Sequence, residues 1–205
     1  ADTRATLAAV RSVGAVVSEG EPDGHGGLYV EVQGAGLRDA APAEIDVGNA
    51  GTLLRIMPGW LAGQPGGEWT LDGDHSIRRR PVDRVADPLR LMGAEVDCRE
   101  GRLPPLRVRG APLRGITYGP PMASAQVKSC LLLAGLLAEG ETTVREPVQT
   151  RDHTERMLAA AGARIRRSGE ELMVSPAERL ESGDVPVPAD FSSAAKSRGG
   201  GGAGV

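Results

Sequence analysis

"RPVDRVADPLRLMGAEV", residues 80–96, decides the fold. It reads as an amphipathic helix that stops at Gly93-Ala94 and passes straight into a β-branched strand. Glycine at that point is the expected helix C-terminal residue, taking a positive φ as the chain turns. The same pattern occurs twice more, in "TRATLAAVRSVGAVV" (3–17) and "RDHTERMLAAAGARI" (151–165), with the glycine at 14 and 162. Each copy is followed by a turn and a second strand: "LYVEVQG", "LPPLRVRG" and "ELMVSP". Ahead of the second and third copies lies another matched pair. "GTLLRIMPGWLAGQ" precedes strand "EWTLDG", and "SAQVKSCLLLAGLLAEG" precedes strand "TTVREP".

The repeating unit is therefore helix, strand, helix, strand, strand, with a further strand leading in: βαβαββ. Two copies are nearly complete and the first is cut short on its N-terminal side. Such alternation predicts an α/β architecture, with crossover helices burying one face against a sheet. Three related units imply pseudo-threefold packing of helices under three small sheets. The very apolar helix over 129–138 belongs in the interior.

Composition narrows the function classes. The 205 residues can bury a real core as one large domain or two small ones. Two Trp, two Tyr and one Phe leave that core to Ala, Val, Leu, Ile and Met. A net charge of −3 argues against a nucleic-acid binder, and local basic clusters suit a small anionic ligand better than a polyanion. Cys98 and Cys130 make no disulfide framework, and no Cys/His spacing resembles a zinc site. Cys130, in an apolar helix, reads as a small hydrophobe. This usage fits a reducing compartment, so a cytoplasmic location is expected. No stretch reaches the ~18 apolar residues of a membrane span. The sequence starts inside an apparent helix with no initiator methionine, so a preceding segment, including any targeting signal, is expected to be missing.

Four stretches carry residues suited to chemistry. In "SAQVKSCLLLAGLLAEG" (124–140), Ser124 is a good N-cap for the helix. Gln126 and Lys128 are then either solvated first-turn residues or, with Ser124, holders of an anion at the positive helix end. "GNAGTLLR" (48–55) is a glycine-rich turn into a helix, with Asn49 and Thr52 at its mouth. "GDHSIRRRP" (73–81) sets three arginines before Pro81, which reads as a first helical residue. Arginines there are either a solvated run or a partner for an anion that offsets the helix dipole. "QTRDHTER" (149–156) gives another polar helix start, with Thr150, Arg151 and His153. These loops fall at corresponding ends of repeated units, where one site can form.

"GNAGT", "RRRPVDRV", "SAQVKSCLLLAGL", "TRDHTERML" and "DFSSAA", in this order, closely resemble 5-enolpyruvylshikimate-3-phosphate synthase. "GNAGT" and the Gly-Ala strands also suit the sister UDP-N-acetylglucosamine enolpyruvyl transferases, which rank second because "SAQVKS" and "RPVDRV" are closer to the shikimate enzyme. The resemblance runs from about residue 2 to Ala195 and covers about half of a family member's length. It implies one domain of a two-domain fold, each domain made of three βαβαββ units. Residues 1–195 would be most of that domain, with 186–195 at the crossover into the other. The tail 196–205 matches nothing in the family and reads as a disordered appendage. Asp190 or Ser192 would cap a helix that the glycines then end.

The implied reaction moves the enolpyruvyl group of phosphoenolpyruvate to the 5-hydroxyl of shikimate 3-phosphate, in aromatic amino acid biosynthesis, without metal or organic cofactor. By motif, Ser124, Ala125, Gln126 and Thr150 match the segment contacting shikimate 3-phosphate. Gly51, by its backbone, Arg80 and Gln126 match the phosphoenolpyruvate side, where glyphosate also binds. Partners are thus the two substrates and a second domain, with no nucleic acid and no membrane. The family's N-terminal Pro-Gly-(Asp/Ser)-Lys-Ser segment is absent, and so is the partner domain with its carboxylates. No catalytic acid or base is identifiable in this half. The expectation is a partial enzyme inactive alone; the alternative is a non-catalytic module that binds shikimate 3-phosphate.

Overall fold

The computed structural model describes residues 2–20 and 29–185. Helix α1 (Asp2–Ser12) leads into strands β1 (Val16–Glu19) and β2 (Val30–Gln33). The second unit comprises β3 (Ala43–Asp46), α2 (Gly51–Ala62), β4 (Glu68–Asp72), α3 (Asp83–Leu91), β5 (Glu95–Arg99) and β6 (Leu103–Arg109). The third repeats it with β7 (Thr117–Tyr118), α4 (Ala125–Leu137), β8 (Thr142–Arg145), α5 (His153–Ala160), β9 (Ile165–Ser168) and β10 (Glu171–Val174). The sheets share one topology, β3-β4-β6-β5 and β7-β8-β10-β9. In each the first pair is parallel, across the crossover helix, and the rest are antiparallel. The βαβαββ repeat read from the sequence is therefore present twice in full. Its closing half, α1-β1-β2, is present once.

The three helix-ending glycines behave as the repeat demands. Gly14, Gly93 and Gly162 take φ of 107°, 105° and 94°. These are values that side-chain-bearing residues rarely adopt. In β6 alternate residues Pro104, Leu106 and Val108 are buried, so one sheet face is apolar and the other faces solvent.

The interior is organised by α2 and α4, which pack along their length. Ten of the thirteen α4 residues are buried, which fits the interior position expected for this apolar run. Close approach is set by small residues. A Cβ on Gly59 would collide with the Cys130 carbonyl, and one on Gly63 would sit 2.5 Å from the Leu137 side chain. Cys130 is fully buried, and burial pushes its thiol up to about 12, as for an inert core residue. A continuous core spans the helices and the β3–β6 sheet, and Leu132, Leu136, Leu158, Leu172 and Val174 form a second cluster under the β7–β10 sheet.

One local expectation is corrected. Pro81 is not the first residue of α3, which begins at Asp83 after the N-cap Val82. The Val82 N–H donates to the Arg102 carbonyl at 2.8 Å, so its backbone is tied to the β5–β6 turn before the helix begins. The arginine run occupies a separate 3-10 turn, Ile77–Arg79, and Arg80 follows it with extended backbone. The crossover at 186–195, the tail 196–205 and the caps Asp190 and Ser192 lie outside the described residues.

Candidate functional site

The "GNAGT" turn is held before any ligand is considered. Gly48 takes φ 54°, its N–H donates to Asp46 Oδ1 at 2.8 Å, and its carbonyl accepts from the Asp74 N–H at 2.9 Å. This is the glycine of the turn that needs a left-handed backbone. Asn49 then bridges two charges. Its Nδ2 donates to Asp74 Oδ2 at 2.7 Å, and its Oδ1 accepts from Arg80 Nη2 at 2.6 Å. Asp74 is further committed to the Ile77 N–H at 2.9 Å. The Asn49 hydrogen bond, with those from the backbone, holds the Asp74 carboxyl below its ordinary range. Asp74 therefore stays charged and orients Arg80 through Asn49.

The three arginines of "RRR" part company. Arg78 forks onto Asp72, with contacts of 2.6 to 3.0 Å, and the pair depresses the carboxyl and raises the guanidinium. Arg79 is exposed in the 3-10 turn. Arg80 has no carboxylate in ion-pair contact among the described residues, and it faces Gly51. A Cβ on Gly51 would meet Arg80 Nη1 at 2.8 Å and Arg55 Nη1 at 3.3 Å. The absent side chain leaves room for two guanidinium groups over the first turn of α2.

Arg55, the last residue of "GNAGTLLR", is the residue that sequence reasoning missed. Its Nη1 donates to the Gly51 carbonyl at 3.4 Å and to Gln126 Oε1 at 3.3 Å, and its Nη2 to the Pro81 carbonyl at 3.2 Å. Its Nε is buried without a partner. Burial, then the charges of Arg84 and Arg80, lower its pKa from the usual arginine value. Three cations crowd together here, and among the described residues none of them is ion-paired to a carboxylate, a field that favours an anion. The signal was available in sequence: Arg55 stands one helical turn after Gly51, on the same face.

α4 brings the second group of residues. Ser124 is the N-cap, with extended backbone, and its Oγ accepts from the Val127 N–H at 3.4 Å. Ala125 and Gln126 open the helix, where N–H groups lack intrahelical acceptors. Gln126 is fixed at both ends of its amide. Its carbonyl accepts from Arg55, and its Nε2 donates to Thr52 Oγ1 at 3.1 Å. The starts of α2 and α4 are thereby joined, and Gly51, Arg80 and Gln126 gather around Arg55.

Lys128 fits neither reading of the helix start. Its side chain is 0% exposed and ion-paired to Glu146 at 3.1 Å and to Glu155. It is neither solvated nor free to hold an external anion. The reason is register: one turn past Ser124, the side chain points inward under the β8–α5 loop. Thr150, on that loop, donates its hydroxyl to Glu146 Oε1 at 2.6 Å. It makes no hydrogen bond to Ser124 or Gln126, and its link to α4 runs through Glu146 and Lys128.

A cavity of 170 Å³ lies between Ser124 and the Arg145–Val148 segment, with Lys128 in its wall. A second, of 280 Å³, adjoins it at Ser124 and includes Arg84, Arg102 and Tyr118. A larger cavity, of 670 Å³, is lined by Glu44, Asp46, Asp72 and Asp74, and its arginine is already paired to Asp72. Its field repels phosphate, so it is not the anion site despite its size. Among the described residues no group of three or more His, Cys, Asp or Glu is placed to hold a metal ion, and no helix is long and apolar enough to cross a membrane.

Comparison with known proteins gives the family of the chain. The family model for EPSP synthase (3-phosphoshikimate 1-carboxyvinyltransferase) matches residues 1–197. A 3-phosphoshikimate 1-carboxyvinyltransferase of Anaeromyxobacter dehalogenans is 54% identical over 195 residues, which is 95% of this chain and 42% of that protein. The Thermus thermophilus protein of the same name is 50% identical over 196 residues, covering 95% and 44%. Among solved structures, EPSP synthase from Acinetobacter baumannii superimposes with a TM-score of 0.84 at 43% identity, over 94% of this chain and 43% of that one. The chain spans less than half the length of the curated relatives it matches.

Proposed function

The chain belongs to the EPSP synthase (3-phosphoshikimate 1-carboxyvinyltransferase) family, and from that premise we propose that it forms one wall of a site for enolpyruvyl transfer from phosphoenolpyruvate to the 5-hydroxyl of shikimate 3-phosphate. The observation that carries this reading is the convergence of Arg80, Arg55 and Gln126 around Gly51, with Ser124 and Ala125 at the adjoining helix start. On this reading Gly51, Arg80 and Gln126 take phosphoenolpyruvate. Ser124, Ala125, Gln126 and Thr150 take shikimate 3-phosphate. Gln126, tied to both α2 and α4, sits where the two substrates meet.

The chemistry of this wall is binding and orientation. Arg80 and Arg55 offer guanidinium N–H groups to a carboxylate or phosphate, and the α4 start offers backbone N–H groups. Two carboxylates beside the site are committed: Asp74 to Asn49 and backbone, Glu146 to Lys128, Arg167 and Thr150. Neither is placed as a general acid or base, so the proton transfers fall to a facing domain. That domain is the main partner proposed, and the cysteine usage supports a cytoplasmic location. Acid–base catalysis contributes roughly 10²–10⁴-fold and substrate juxtaposition more, so the chain alone is expected to bind without measurable turnover.

Calorimetric titration with shikimate 3-phosphate at low and high ionic strength tests the reading. Weak binding that falls with salt is expected, because an exposed wall is screened. Salt-independent binding, or none, counts against it. Steady-state assays with and without a complementary half distinguish a partial enzyme from a silent binding module.

A further inference from the structure

Four ionisable side chains lie under the β8–α5 loop, and the binding and orienting chemistry above uses none of them. Lys128 (0% exposed) and Glu146 (4%) are buried, and Glu155 (11%) and Arg167 (27%) close the group. Lys128 contacts both carboxylates, and Arg167 Nη2 reaches Glu146 at 2.7 Å and Glu155 at 3.0 Å. Two cations balance two anions. The position of Lys128 in a helix otherwise packed with Leu, Ala and Cys calls for an account beyond packing. A buried ion group gives little net stability compared with apolar residues of similar volume, because desolvation offsets the attraction.

The cluster reaches the loop of the site through Thr150. Glu146 Oε2 accepts from Lys128 at 3.1 Å and from Arg167, whereas Oε1 accepts the Thr150 hydroxyl at 2.6 Å and faces the Thr150 N–H at 3.4 Å. Lys128 stands one helical turn after Ser124. A chain of side-chain contacts, Lys128–Glu146–Thr150, therefore spans from α4 to the loop carrying Thr150. Ser129 Oγ and Thr154 Oγ1, 2.7 Å apart, tie the same helix to α5.

We propose that Lys128, Glu146 and Arg167 are positioning residues that fix Thr150 relative to Ser124, and so set the spacing of the shikimate 3-phosphate contacts. The inference rests on the site reading above and adds a mechanism to it: the ion cluster acts on affinity through the Thr150 hydroxyl.

A charge-balanced replacement tests it. Lys128→Met with Glu146→Leu removes one cation and one anion and leaves the Glu155–Arg167 pair, so the fold has no unpaired buried charge. Melting temperature reports the fold, and calorimetry with shikimate 3-phosphate reports the site. The double replacement is expected to weaken binding about tenfold while the protein stays folded. In a Thr150→Val background the same replacement should cost less than about twofold, because the hydroxyl it acts through is gone. Glu146→Asp keeps every charge but withdraws the carboxylate by one methylene. It is a second route if the double replacement fails to fold, with the same expected dependence on Thr150.

Wild-type affinity in the replaced proteins, or an equal loss with and without the Thr150 hydroxyl, overturns the inference while the site reading stands. If neither Ser124→Ala nor Thr150→Val alters shikimate 3-phosphate binding, the site reading itself fails and takes the inference with it.

Discussion

Gly51 and Arg80 face each other so closely that a Cβ on Gly51 would lie 2.8 Å from Arg80 Nη1. The Gly51 backbone does not require glycine: it is the first residue of α2 and is not among the residues with positive φ. Gly51→Ala is therefore expected to leave the melting temperature unchanged or slightly raised, since Ala favours helix. The methyl group displaces the far end of the Arg80 side chain, which can swing aside without cost to the fold. The loss therefore falls on ligand binding, by about 1–3 kcal/mol where a bound ligand leaves no room to relax. In an active enzyme containing this chain, the phosphoenolpyruvate KM should rise. The inhibition constant of the longer glyphosate molecule should rise by a larger factor. Measuring both constants with the melting temperature checks this, and a lower melting point with unchanged inhibition would remove Gly51 from the site.

Arg80→Ala and Arg78→Ala should separate sharply in the same enzyme. Arg78 is an exposed fork on Asp72, and its loss should change kcat/KM by less than about threefold. Arg80, without a carboxylate in contact among the described residues and oriented by Asn49, should cost about a hundredfold or more. Steady-state kinetics on the two variants decide it; equal small effects would return the arginine run to a solvated surface.

Arg55→Lys tests the residue that joins the two helix starts. Lysine keeps the charge but cannot reach the Gln126, Gly51 and Pro81 carbonyls with one fork. The phosphoenolpyruvate KM should rise about tenfold, with little change in melting temperature. An unchanged KM would show that Gln126 needs no such support.

Gly59→Ala makes the opposite prediction, a loss of stability without substrate preference. The added methyl collides with the Cys130 backbone, which cannot swing away as a side chain can. A cost of about 3 kcal/mol is expected, read by denaturant unfolding. A variant as stable as the parent would mean that α2 and α4 can slide apart.

Acid should loosen the β8–α5 loop. Burial pushes the Glu146 carboxyl up, but hydrogen bonds from Arg167, Thr150 and Lys128 outweigh it and hold the carboxyl below its usual 4.5. A group with a lower pKa folded than unfolded adds stability above the unfolded value. That stability is lost as pH falls through the folded value. The melting temperature should therefore fall as pH drops below 4.5, and the Lys128→Met, Glu146→Leu protein should fall less. Parallel pH profiles for the two proteins would contradict this.

Gly14, Gly93 and Gly162 made the repeat legible, because a helix ending in left-handed glycine and passing into a strand is a local event written in adjacent residues. Ser124 as N-cap was legible for the same reason. Arg55 and Lys128 were not, because their roles depend on what lies across the core. Arg55 acquires Gln126 only when α2 and α4 pack, and Lys128 acquires Glu146 and Glu155 only when β8 and α5 fold over α4. Pro81 misled because proline favours the first turn of a helix in isolation, whereas the Val82–Arg102 hydrogen bond is a tertiary contact. The candidate residues could be picked out by type, but their partners were set by the fold.

The Gly59–Cys130 and Gly63–Leu137 contacts carry a mechanical consequence. The helices that begin with Gly51 and with Ala125 are locked along their length, so the residues at their first turns cannot move independently. On the proposed function, a facing domain would meet this wall as one stiff plate, hinged outside it. The ordering of Gly51, Arg55 and Gln126 is completed on folding, so the substrate capture proposed above would cost little further internal entropy.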